Sequence, residues 1–323
     1  MSEMDEYTSS SGFINNVNKR LRKALTPYMP PYISSTIKDM GVYGLNLSGY
    51  SLSIPRFGGN KILMQKKLLK AAKKSRSMGA EVIVVDGSIL KASGEQIVKL
   101  RSKFKISDGI FYRPSVLIEA CMKVSALMGI NFWRCGICIA DASTEIGLIM
   151  TELLMQHANF LTLCTEDKDR LNDIALKYIK SCGISAPVVS DYKKAMDSCD
   201  ILIYTGNADI NKLVSFVSHK MLIMNLSDEE ANINKPFLMI DDAALAGQRE
   251  PVILTDRIAD DKYILTSRIW EGALLANLKL DGSEFSISKA NEFLDYSRKL
   301  DIKIKAVMKL GKPIDRDMIY SYR

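Results

Sequence analysis

The sequence predicts an α/β protein: an N-terminal α/β domain, then a doubly wound parallel sheet, closed by C-terminal helices. Three observations lead there. Short apolar runs alternate with longer amphipathic stretches from about Gly41 onward, the rhythm of strand–helix–strand units whose strands are buried on both faces. Gly79 and Gly129 stand where helical patterns end, the usual place for a residue that tolerates a left-handed cap. The length, 323 residues, suits two domains that each bury a core.

Taken in order, Gly41–Ile54 reads as a strand-like opening and Lys61–Arg76 as a basic amphipathic helix. The run Glu81–Gly87 (EVIVVDG) reads as a buried parallel strand. Gly94–Lys103 has a helical pattern, Ser107–Pro114 (SDGIFYRP) is a turn-rich connection, and Ser115–Met128 is a helix stopped by Gly129. A second series sets strands at Cys135–Ala140, Asn159–Cys164, Pro187–Val189, Asp200–Tyr204, Lys220–Asn225 and Phe237–Ile240, with helices at Glu145–His157, Lys168–Ser181 and Tyr192–Ser198. Helices at Thr266–Leu278 and Ser288–Leu300 close the chain. The expected division is an extension over 1–30, an α/β domain over 31–130, a parallel-sheet domain over 131–262 and C-terminal helices over 263–323, returning to the first domain.

Composition narrows the class. With 47% hydrophobic and 25% charged residues the chain is neither disordered nor fibrous. The richest apolar stretch, Gly136–Cys164, is interrupted by Asp141, Glu145, Glu152, Gln156 and His157, so no run reaches the length a bilayer needs. The first residues, MSEMDEYTSSSGF, lack the basic-then-apolar order of a secretory signal. A soluble, cytoplasmic protein is expected. The six cysteines, Cys121, Cys135, Cys138, Cys164, Cys182 and Cys199, lie in mostly apolar surroundings and read as reduced, packed thiols. Cys135 and Cys138 form a C-x-x-C pattern inside a strand-like run, and only His157 and His219 could complete a zinc set, so no metal is expected.

The net charge of +7 is concentrated in two clusters, Asn18–Lys23 and Lys61–Arg76. On a helix, Lys66, Lys70, Lys73 and Lys74 share one side, while Leu63, Leu68, Leu69 and Ala72 supply much of the other. This is either a solvated face or a dock for an acidic partner, such as a carrier protein. No aromatic residue is interleaved with the lysines, which argues against nucleic acid.

Chemistry is expected at the first strand-to-helix turn of the second series, where such folds keep glycines for close approach to a pyrophosphate. Here the turn reads Ile139-Ala140-Asp141-Ala142-Ser143-Thr144-Glu145-Ile146-Gly147. Only Gly147 remains, suited to packing helix against sheet, and two carboxylates occupy the turn. Each carboxylate about 4 Å from a phosphate charge would cost about 4 kcal/mol at an effective dielectric near 20.

From about Pro30 to Val307 the chain resembles the long-chain acyl-carrier-protein reductases, whose Rossmann architecture is shared with shikimate dehydrogenase and glutamyl-tRNA reductase. The resemblance runs from SDGIFYRP through the CGICIADASTEIG turn, then NFLTLCTEDKDRL, ILIYTG, LIMNLSDEE, FLMIDDAALAG and SRIWEGALLANL. It implies a Rossmann-like domain, an NAD(P) cofactor and an interdomain cleft lined near Gly109, Tyr112, Thr205 and Gly206. The cofactor would meet Asp141, Ser143, Thr144, Gly147, Thr165, Glu166, Thr205 and Gly206. The departures are chemical. The family's loop glycines fall on Asp141 and Thr144, and its Gly-Arg after the second strand falls on Thr165-Glu166, which suits ribose hydroxyls and so NAD over NADP. Its thioester-forming Cys falls on Arg268, with Glu271 matching its Glu; a guanidinium is no nucleophile. Tyr112, Glu271 and Arg268 are left as candidate catalytic groups. Three readings stand: a catalytically altered relative that keeps its ligand cleft, a working NAD-dependent oxidoreductase with a modified loop, or a scaffold for an acidic partner.

Overall fold

The computed structural model describes residues 29–45, 47–54, 61–85, 89, 100–155, 157–182, 185–217, 220–227, 233, 237–255, 265–278 and 286–322. The cluster Asn18–Lys23, most of the expected helix from Gly94 and His219 lie outside them.

A six-stranded parallel sheet forms the centre. Its strands are β5 (Ile137–Ala140), β6 (Leu161–Cys164), β7 (Val188–Val189), β8 (Ile201–Tyr204), β9 (Leu222–Asn225) and β10 (Leu238–Ile240), in the order β10-β9-β8-β5-β6-β7. Every neighbouring pair is parallel. The first and fourth strands of this series, β5 and β8, are neighbours, so the chain winds outward in both directions from the seam between them, the Rossmann-like order. The central strands are near-continuous apolar runs because both faces are covered. Ile137, Ile139, Ile201 and Ile203 pack on one face with α2 (Arg113–Leu127) and α3 (Glu145–Leu154). Cys138, Leu202 and Ile223 pack on the other with α5 (Tyr192–Met196) and α6 (Ile210–Ser215). The helix α4 (Lys168–Cys182) follows β6.

The expected strands of this series all form, shorter by a residue or two where a polar or turn residue opens the run. Cys135 and Cys138 are buried, and burial pushes the Cys135 thiol up to about 12. That is the behaviour of packed thiols. Gly136 admits no side chain, since a Cβ there would stand 1.8 Å from the Ser198 carbonyl oxygen. Gly136→Ala is therefore expected to lower stability by about 2–4 kcal/mol, read as a shift in the urea midpoint.

The first unit differs more from expectation. Gly41–Ile54 is not one strand: β1 (Tyr32–Asp39) precedes it, the chain turns through Gly41 and Gly44 at positive φ, and β2 (Gly49–Ser53) returns beside β1. The expected buried strand at Glu81–Gly87 is β3 (Val82–Val84), paired in parallel with β4 (Lys105–Ser107) and partly exposed at Val84. Two further strands follow β10 directly. One, β11 (Asp242–Ala246), pairs with β13 (Lys303–Lys309), which in turn pairs with β14 (Lys312–Pro313); the other, β12 (Val252–Thr255), pairs with β1. The parallel sheet thus ends at Ile240.

The C-terminal helices are α7 (Ser267–Leu278) and α8 (Ile287–Lys299), and a short α9 (Arg316–Ser321) follows β14. Trp270, Leu274, Leu275 and Phe293 from α7 and α8 share a core with Ile37, Met40, Phe111 and Tyr112, so the two ends of the chain close one unit. On α1 (Lys61–Ser77), Lys66, Lys70, Lys73 and Lys74 are exposed and Leu68, Ala71 and Ala72 are buried. Lys67 breaks the pattern at 4% exposure, and burial, then Lys70, lowers its pKa. Among the described residues, no helix is long and apolar enough to cross a membrane.

Candidate functional site

The carboxyl ends of the parallel strands carry the expected site residues, and the turn after β5 is held by its own hydrogen bonds. Asp141 adopts a left-handed backbone, φ 53, a conformation in which Asp is tolerated where most residues are not. Its carbonyl accepts from the Thr144 N–H and hydroxyl, at 3.0 and 2.9 Å. Thr144 then caps α3 by accepting from the Gly147 N–H at 3.1 Å. The Ala142 N–H donates to the Cys164 carbonyl at 3.0 Å. Gly147 lets the helix close on the turn, since a Cβ there would lie 2.7 Å from both Ala142 Cα and the Asp141 oxygen. The N–H groups of Ala142, Thr144 and Gly147, which a bound diphosphate could otherwise recruit, are thus engaged within the chain.

The Asp141 carboxylate is pinned as well. Tyr192, at the start of α5, donates its hydroxyl to Asp141 Oδ1 at 2.5 Å. Burial first, and then this bond, push the Tyr192 pKa well up, so the phenol stays protonated and keeps donating. Asp141 Oδ2 is buried without a hydrogen-bond partner. Glu145 stands exposed in the first turn of α3, and Glu166 stands exposed at the end of β6. Ser143 and Thr165 bond each other at 2.8 Å, and the Thr205 hydroxyl donates to the Ala140 carbonyl at 2.8 Å. Gly206, at φ 106, packs against Ser227. Asp141, Ser143, Thr144, Thr165 and Thr205 therefore come together at the seam, but with a carboxylate where a pyrophosphate needs N–H donors. The residues present do not fit that group.

Tyr112, Arg268 and Glu271 lie elsewhere, around the segment 107–112. Glu271 is 0% exposed. Its Oε1 accepts from the Ser107 hydroxyl at 2.9 Å and the Gly109 N–H at 3.0 Å, and its Oε2 from the Phe111 and Tyr112 N–H groups at 3.0 and 2.8 Å. Burial pushes the carboxyl up to about 7, against the pull of the Tyr112 N–H and the Ser107 hydroxyl. The expected cleft residue Tyr112 is instead inside the core, its ring 6.4 Å from that of Phe293 and its pKa pushed up to about 12 by burial. Arg268, one helical turn before Glu271, lies across Gly109: a Cβ on Gly109 would meet Arg268 Cγ at 3.0 Å, and Gly109 has φ 91. Segment 107–112 is thus clasped between two α7 side chains.

Three residues that the sequence does not single out complete these two places. Ser107 joins the Glu271 bonds, Tyr192 holds Asp141, and Arg113 ties α2 to the sheet. The Arg113 guanidinium, 7% exposed as a residue, donates to the carbonyls of Asp241 at 2.7 Å, Asn225 at 3.3 Å and Leu226 at 3.5 Å. Asp242 caps α7, accepting from the Ser267 hydroxyl and N–H. Among the described residues, no group of three or more His, Cys, Asp or Glu is placed to hold a metal ion.

No protein-family model and no curated protein matches the sequence. Among solved structures the chain is similar to a putative aspartate carbamoyltransferase from Trypanosoma cruzi, at 14% identity over 52% of this chain and 60% of that one, with a TM-score of 0.31. It is also similar to a structure reported for the pyruvate reductase of Chlamydomonas reinhardtii (13% identity, 49% and 52% covered, TM-score 0.27). A third is a protein from Thermus thermophilus (7% identity, 53% and 65% covered, TM-score 0.28). The chain spans less than two thirds of each, and likeness this remote says nothing about chemistry.

Proposed function

We propose that this chain is a catalytically altered relative of the acyl-carrier-protein reductases, a ligand-binding protein that does not transfer hydride from a nicotinamide dinucleotide. One observation carries the reading: the Asp141 carboxylate, fixed by Tyr192, occupies the turn where the phosphate cradle belongs. Two more support it. Arg268 stands where the resemblance puts a nucleophilic Cys, and Glu271 is spent on backbone N–H groups rather than facing a cleft. The competing NAD-dependent oxidoreductase needs the dinucleotide to bind. Neither NADH nor NADPH at millimolar concentration is expected to raise the thermal midpoint; a rise of several degrees, with oxidation of either by an acyl thioester, would refute the proposal.

A second reading concerns a partner. The exposed row Lys66, Lys70, Lys73 and Lys74 on α1, with no acidic residue in the first turn of that helix, suits an acidic carrier protein. Reversing Lys66, Lys70 and Lys73 to Glu is expected to abolish salt-sensitive binding to such a carrier and leave the thermal midpoint within about 1–2 °C. Unchanged binding would exclude this face.

A further inference from the structure

We propose that residues 107–112 form a carboxyl cradle which the chain fills with its own Glu271, and that the emptied cradle accepts a short carboxylic acid or carboxylate instead. The inference is independent of the cofactor reading. The left-handed turn at Gly109 brings the N–H groups of Gly109, Phe111 and Tyr112 to one point, and Ser107 at the end of β4 adds its hydroxyl. Those donors sit just before the first turn of α2, where the helix field also favours negative charge. The carboxylate nearest in sequence, Asp108, pairs with Arg101 and accepts from the Ile110 N–H in place of the cradle's donors.

Each donor meets an oxygen of Glu271 at 2.8 to 3.0 Å, so the geometry is that of an occupied carboxylate site whose ligand happens to be tethered. The protonated acid reverses one bond. Its proton can go to the Ser107 oxygen while the three N–H donors keep their acceptors. Truncation to alanine removes a methylene and a carboxylate, the atoms of acetate.

The test compares wild type and Glu271→Ala at about pH 6 by the thermal midpoint, followed through the fluorescence of Trp270, which neighbours Glu271 and is fully buried. Sodium acetate is compared with sodium chloride at equal ionic strength and with acetamide. The variant is expected to melt roughly 10 °C below wild type, and acetate at a few hundred millimolar to restore about 2–4 °C of that, while acetamide restores clearly less, chloride restores none and wild type does not respond. Adding Ser107→Ala should weaken the acetate response. Equal shifts with acetate and acetamide, or the same acetate shift in wild type, would overturn the proposal. If Glu271→Ala does not accumulate folded, the comparison is made on refolding from urea: a larger native fraction in acetate than in chloride supports the cradle, and equal fractions overturn it.

Discussion

Glu271→Ala is expected to cost about 3–5 kcal/mol of folding stability, the range for a buried polar network left without one partner. Three backbone N–H groups and the Ser107 hydroxyl would lose their acceptor at a place closed to water. Glu271→Gln should be milder, about 1–3 kcal/mol. Its amide oxygen can still accept from Phe111 and Tyr112, and its NH2 can donate to Ser107, but the Gly109 N–H then faces another donor. The two proteins should also differ in pH dependence. The Glu271 pKa is raised from 4.5 to about 7 in the folded protein, so between those values the folded state holds a proton that the unfolded state has released. Stability from this group is fully present below about pH 4.5 and is lost as pH rises through about 7, by roughly 3 kcal/mol. The Gln variant lacks that slope. Urea midpoints of both proteins from pH 5 to 8 should therefore converge as pH rises; parallel curves would mean that Glu271 keeps its ordinary pKa.

Arg113→Met is the second large effect, about 2–4 kcal/mol. Its guanidinium satisfies carbonyls at the ends of β9 and β10 and joins the start of α2 to them. Methionine fills similar volume, so the loss measures the hydrogen bonds and not a cavity. Arg113→Lys keeps the charge but not the planar fork that reaches three acceptors, and should fall between the two. A Met variant within about 0.5 kcal/mol of wild type would show that water replaces the guanidinium at those carbonyls.

The parallel sheet was legible because its strands carry their own signal. Runs such as Ile201–Tyr204 and Leu222–Asn225 are apolar on both faces and read as buried strands without any neighbour. The antiparallel pieces were not. β11 is DAALA, short of β-formers, and β1 mixes Ser and Thr into YISSTIKD, so each depends on the partners beside it, β13 for β11 and β2 with β12 for β1. The same contrast runs through the site. The carboxylates in the first turn and the single Gly147 were visible as residue types in a readable context. Glu271 was visible as a residue but its role was not, and Arg113 was not visible at all, because their partners are mostly backbone N–H and C=O groups, which every residue has and no sequence displays. Tyr192 on Asp141 needed the order β5-β6-β7 to bring α5 beside the turn.

The most direct test of the central claim is calorimetric titration of the protein with NADH and with NADPH. A turn that carries the Asp141 carboxylate, fixed by Tyr192, and whose Ala142, Thr144 and Gly147 N–H groups are already engaged predicts no heat of binding with either at millimolar concentration. Saturable micromolar binding of either dinucleotide would contradict it.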